Sequence, residues 1–108
     1  MSEYTPHLWE IVRLTTDNDQ VDKVIGSWYG GFGGSDNWRL SSGIVKIDEN
    51  DSHYQVHNES GSVYTCHKQT RGMSSYTHMA LKKLGEELKT IGGKLEVLDI
   101  SNILDTHK

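Results

Sequence analysis

The apolar residues of this chain change period once, near residue 74, and that change decides what it can fold into. From Leu8 to Lys68 they fall in short runs with frequent two-residue alternation, separated by polar turn residues. From Ser74 to Ile91 they recur at every third or fourth position. A period of 2 puts alternate side chains on opposite faces of a strand, whereas 3.6 collects them on one stripe of a helix. The chain therefore reads as a series of strands followed by one amphipathic helix.

LWEIVRLTT (8–16) and VDKVIGSWY (21–29) are rich in β-branched and apolar residues and flank TDNDQ, so they form a hairpin. WRLSSGIVKI (38–47) alternates until Gly43, where the apolar parity passes from Trp38 and Leu40 to Val45 and Ile47; a β-bulge at Gly43 accounts for the shift. SHYQVHN (52–58) and SVYTCHK (62–68) follow the turns DENDS and NESG. A two-residue turn at Glu59 and Ser60, or a four-residue loop over 58–61, places His57 opposite Ser62, Val56 opposite Val63 and His53 opposite Cys66. That register makes Val45, Ile47, Tyr54, Val56, Val63 and Thr65 the core face. Lys46, His53, Gln55, His57, Tyr64 and Cys66 then form the wet one.

In the helix, Leu81, Leu84, Leu88 and Ile91 form the stripe, Ser74 or Ser75 the N-cap, and Gly92 with Gly93 the stop. Gly85 costs about 1 kcal/mol relative to alanine there, which suits a close approach to the sheet. KLEVLDI (94–100) is a last strand. The expected fold is α+β in the order β-β-β-β-β-α-β, a mostly antiparallel sheet of five to six strands with the helix packed on one face. Residues 1–108 are expected to form one domain, since a chain of 108 residues is long enough for a core of its own.

Cys66 is the only cysteine and cannot form an intrachain disulfide. No apolar run approaches the roughly 18 residues of a membrane span, and MSEYTPHLWE lacks the regions of a signal peptide. A cytoplasmic protein without membrane attachment is expected. The net charge of −4 argues against general affinity for nucleic acid, which comes mainly from neutralising phosphates. Charge is unevenly spread, however: residues 60–85 hold no Asp or Glu but carry Lys68, Arg71, Lys82 and Lys83.

GSWYGGFGGSDNW (26–38) sets five glycines among four aromatics. It completes neither phosphate-loop pattern, because Asp36 stands where G-x-G-x-x-G needs its third glycine and a strand follows. Its aromatics instead suit contact with a partner, since binding residues concentrate on loops and aromatics dominate hot spots. Tyr29, Phe32, Asp36, Asn37 and Trp38 are the candidates, with Phe32 expected to be exposed between its glycines.

His53, His57, His67 and Cys66 lie close in sequence but match no zinc-ligand spacing, and adjacent Cys66 and His67 point to opposite faces, so neither metal nor cofactor is expected. Paired histidines beside Lys68 would suit phosphodiester cleavage, though no catalytic motif is complete. Lys68, Arg71, Ser74 and Ser75, with the helix N-terminus, could hold a phosphate or carboxylate. The expected function is therefore a non-enzymatic regulator or inhibitor that binds a protein partner, a second copy of the chain included, through residues 26–38. The alternative is a protein for a small anion or nucleotide, phosphodiesterase-like, that uses residues 53–75.

Overall fold

A computed structural model describes residues 2–29 and 37–107. The strands are β1 (Glu3–Tyr4), β2 (Leu8–Thr16), β3 (Asp19–Trp28), β4 (Asn37–Leu40), β5 (Ile44–Glu49), β6 (His53–Asn58), β7 (Val63–His67) and β8 (Lys94–Leu98), with the helix α1 (Ser75–Lys89) between β7 and β8. The fold is α+β, but its strands form two four-stranded sheets: β1-β7-β6-β5 and β4-β3-β2-β8. All pairings are antiparallel except the parallel contact of β1 with β7.

The expectation of one sheet fails at Ser41. There the backbone N–H donates to Val24 O at 2.9 Å, while the Ser41 hydroxyl accepts the Val24 N–H at 2.9 Å and donates to Ser42 O at 2.7 Å. A side chain thus closes the β3 ladder and the chain is released. Two residues on, Gly43 O accepts the Glu59 N–H, which belongs to the other sheet. What reads as one strand over 38–47 is two strands in different sheets, β4 and β5. The bulge falls between Ile44 and Lys46 rather than at Gly43, so Val45 is exposed instead of facing the core.

The β2–β3 hairpin lies in the middle layer. Trp9, Ile11 and Val24 face the other sheet and pack with Ile44, Ile47, Val56, Tyr64 and Cys66; Ile100 and Ile103 complete this core. Val12 and Ile25 face the opposite way, with Leu81 of α1 against them. Side chains of adjacent residues therefore enter two different cores, as the alternating pleat requires.

The β6–β7 register is one residue away from the sequence expectation. His57 pairs with Val63, Val56 with Tyr64, Tyr54 with Cys66 and His53 with His67. The reason is the turn: Asn58 N–H donates to Ser62 O and Gly61 N–H to Asn58 O, with Gly61 at φ 88°. This is a three-residue loop closed by a left-handed glycine, a conformation that glycine adopts without steric cost. A slip of one residue exchanges the faces of a strand. Tyr64 and Cys66 accordingly lie in the core rather than on the wet face, and Thr65 takes the outer side.

Helix α1 is capped by Ser74, whose hydroxyl accepts the Thr77 N–H, and Gly92 follows its end at φ 78°. Its buried residues are Thr77 and Leu81. Leu84 and Leu88 are half-buried, and Ile91 is exposed, so the stripe lies nearer the helix N-terminus than expected. Ser27 and Thr77 hydroxyls meet at 3.0 Å, fixing the first turn to β3. Among the described residues no helix is long and apolar enough to cross a membrane.

Leu81→Ala is expected to cost roughly 2–5 kcal/mol, because the removed side chain leaves a cavity in the helix–sheet core. Gly85→Ala should act in the other direction. A methyl there would meet Leu95 Cβ at an ordinary 3.8 Å, so the gain in helix propensity, about 0.5–1 kcal/mol, is not opposed. Urea unfolding of both variants measures this; a loss of stability in Gly85→Ala would mean that the helix sits closer to β8.

Candidate binding surface

The aromatic residues of segment 26–38 are held by the β3–β4 ladder, in which Ser27 pairs with Trp38 and Trp28 with Asn37. Gly26 permits the packing beneath: a Cβ there would lie 2.9 Å from the Pro6 ring and 3.2 Å from the Trp28 ring. Trp28 donates its indole N–H to Thr5 O at 3.2 Å and meets Tyr4 edge-on at 6.2 Å. Tyr4 lies in turn 4.9 Å from Tyr64, and the Arg39 guanidinium stands 4.7 Å over the Tyr4 ring. On the far side Tyr29 donates its backbone N–H to His7 Nδ1 at 2.8 Å and stacks its ring on the imidazole.

Two of the described rings of this segment stay in solvent: Tyr29 is 49% exposed and Trp38 39%. Trp38, Asn37, Arg39, Trp28 and Tyr4 line an open cleft of about 280 Å³. Tyr29, Asn37 and Trp38 are thus brought to one edge of the middle sheet. Phe32 and Asp36 lie outside the described residues.

Beside this cleft is a second, polar one of about 250 Å³, whose walls come from both sheets and include Arg39, Tyr4, Tyr64, Ser42, Ser60 and Ser62. Its hydroxyls form a chain. Ser42 donates to Ser60 at 3.0 Å, Ser60 to Ser62 at 3.2 Å, and Ser62 Oγ also accepts from Asn58 Nδ2 at 3.1 Å. The Asn58 carboxamide is fixed by the carbonyls of Val56 and Ser62, and its buried Oδ1 has no partner among the described residues. Burial pushes the Tyr64 phenol up, while the neighbouring Arg39 charge draws it back; the net shift is upward, so Tyr64 keeps its proton at neutral pH.

The basic segment is arranged differently. Lys68 bonds Glu49 at 2.7 Å and Arg71 bonds both Glu10 at 2.7 Å and Asp99 at 2.8 Å. The Ser74 hydroxyl caps the helix and meets Thr77 Oγ1 at 2.9 Å; Ser75 is exposed at the first helical position. The structure therefore does not gather Lys68, Arg71, Ser74 and Ser75 into one open site.

The histidines are likewise engaged. His53 and His67 rings meet edge-on at 5.7 Å, with both His53 nitrogens bonded, Nε2 to Asn50 and Nδ1 to Ser52. His57 bonds Asp48 at 2.9 Å. Because of the register, Cys66 faces the core and not His53. Among the described residues no cluster of three or more His, Cys, Asp or Glu could hold a metal ion.

No protein-family model, no curated protein and no solved structure matches the chain.

The sequence singles out the segment that carries the exposed Tyr29 and Trp38 but gives no sign of the polar cleft. Arg39 follows Trp38 directly, yet nothing local shows that Tyr4, Ser42, Ser60 and Ser62 come to meet it. That meeting depends on the split between β4 and β5.

Burial pushes the Cys66 thiol far up, and the thiolate is the reactive form. Native protein should react with a thiol reagent orders of magnitude more slowly than protein in urea; equal rates would place Cys66 at the surface. Asp22 is buried and bonded by Arg13 at 2.8 Å and His107 at 3.1 Å. Burial raises its carboxyl, but the bonds and charge of those partners outweigh this and hold it below the usual range. A lowered carboxyl stabilises the fold above the ordinary carboxylate pKa of about 3.9, and the contribution disappears as pH falls through the folded value. Asp22→Asn should therefore lose about 1–3 kcal/mol at neutral pH, as expected for charge-assisted hydrogen bonds, and much less near pH ~2. Urea titrations at the two pH values give the comparison.

Proposed function

We propose that this chain is a non-enzymatic binding module, a regulator or inhibitor, that engages a protein partner through the aromatic edge formed by Tyr29 and Trp38. The reading is carried by one observation: two large rings remain in solvent at the two ends of the 30–36 stretch, fixed on strands and on a stacked histidine, beside a cleft lined by further aromatics. Rigid, partly exposed aromatics are what protein hot spots are made of, because they bring large contact area at little cost in side-chain entropy. Lys68 and Arg71 already face carboxylates, which leaves segment 53–75 less charge to offer an anion. The His53 nitrogens are hydrogen-bonded and the Cys66 thiol is buried, so neither is presented for chemistry.

Trp38→Ala and Tyr29→Ala should leave the urea midpoint nearly unchanged, since neither ring is in a core. Each should weaken the partner complex by about 2 kcal/mol or more, roughly 30-fold in affinity. The assay is capture of the partner by the wild-type protein, followed by titration with each variant. Unchanged affinity in both variants would remove this edge from the interface.

A further inference from the structure

Of the three arginines, Arg13 is bonded to Asp22 and Arg71 to Glu10 and Asp99, whereas Arg39 makes no ion pair with a carboxylate among the described residues. Its charge rests over the Tyr4 ring and beside Tyr64. In a chain with 15 acidic residues against 11 basic ones, none of the described residues lining the polar cleft below it is acidic.

The hydroxyls of that cleft are also unbalanced. In the Ser42–Ser60–Ser62 chain each hydroxyl passes its proton to the next, and Ser62 receives two hydrogen bonds while giving none among the described residues. Ser62 itself is buried. Aligned donors polarise one another, so the proton at the end of the chain is the strongest donor in it. Tyr64, which stays protonated, adds another hydroxyl to the same wall. Guanidinium and hydroxyl protons therefore converge from both sheets on a space where no described residue offers a carboxylate to receive them.

We infer that this cleft binds an oxyanion, with Arg39 supplying the charge and Ser62 and Tyr64 supplying hydroxyl donors. An anion that only accepts hydrogen bonds complements such a donor set, and bonds to an ionised group are the strong ones. At about 250 Å³ the space is below the roughly 300–1,000 Å³ of pockets for drug-sized ligands. It fits a phosphate or carboxylate group with little attached. The cleft shares Tyr4 and Arg39 with the aromatic one, so a ligand can extend from one into the other. The inference does not depend on the partner-binding reading, because a simple inorganic anion is sufficient to probe it.

The experiment is a backbone-amide NMR titration of the whole chain with sodium phosphate and, separately, sodium acetate, at ionic strength held constant with chloride. Saturable shifts centred on Ser42, Ser60, Ser62 and Tyr64 are expected with at least one of the two. Arg39→Gln should weaken that binding roughly tenfold or more, the loss that accompanies one charge-assisted hydrogen bond. Tighter phosphate binding would identify a phosphoryl group as the natural ligand chemistry, and tighter acetate binding a carboxylate. Arg39 is exposed, so its replacement should leave the urea midpoint intact; Arg39→Lys, which keeps the charge, should retain part of the affinity. No saturable shift with either anion, or equal binding by wild type and Arg39→Gln, would overturn the inference. The outcome is independent of whether Trp38→Ala releases a protein partner.

Discussion

The β2–β3 hairpin is the constraint on which the rest of the structure depends. Nine residue pairs join the two strands, and their apolar side chains point both ways, Trp9, Ile11 and Val24 to one layer and Val12 and Ile25 to the other. A sheet with both faces apolar must be covered twice. The second sheet covers one face and α1 the other, and the exposed Trp38 lies on β4, the edge strand of the middle sheet.

Much of this was legible in the residues. The change of period placed the helix, the serine pair at 74 and 75 its cap, which is Ser74, and the turn chemistry most strand boundaries. The second sheet was legible in principle too: Ile11-Val12 and Val24-Ile25 are adjacent apolar pairs, the mark of a strand buried on both faces, and a one-sheet fold has no place for them. Two features were not accessible to pattern reading. The break at Ser41 rests on a hydroxyl that takes over a ladder bond to Val24, 17 residues away, and no local propensity encodes that. The β6–β7 register turns on whether Gly61 lies inside the loop or at its left-handed end, and NESG allows both.

The same two features separate the legible part of the candidate surface from the illegible part. Tyr29, Asn37 and Trp38 belong to one stretch of chain, so composition alone drew attention to them. The polar cleft is assembled from segments near residues 2–4, 39–42 and 60–64, each unremarkable by itself. Electrostatics separates the two candidate anion sites: Lys68 and Arg71 of the basic band meet acidic residues in space, whereas Arg39 has no acidic neighbour among the described residues of its cleft.

Ile100 and Ile103 are buried between the sheets, and His107 both bonds Asp22 and offers its backbone carbonyl to Ile47 on the outer strand β5. These residues emerge from the ribosome after every strand they touch. Until then the hairpin and the β5–β6–β7 meander, each able to form from local contacts, must keep apolar faces uncovered, and β2 lacks its β8 neighbour. Closing contacts between such distant parts of a chain is slow, and exposed strands waiting for it are open to association. The core between the two sheets is therefore complete only once residues 100–107 have been made.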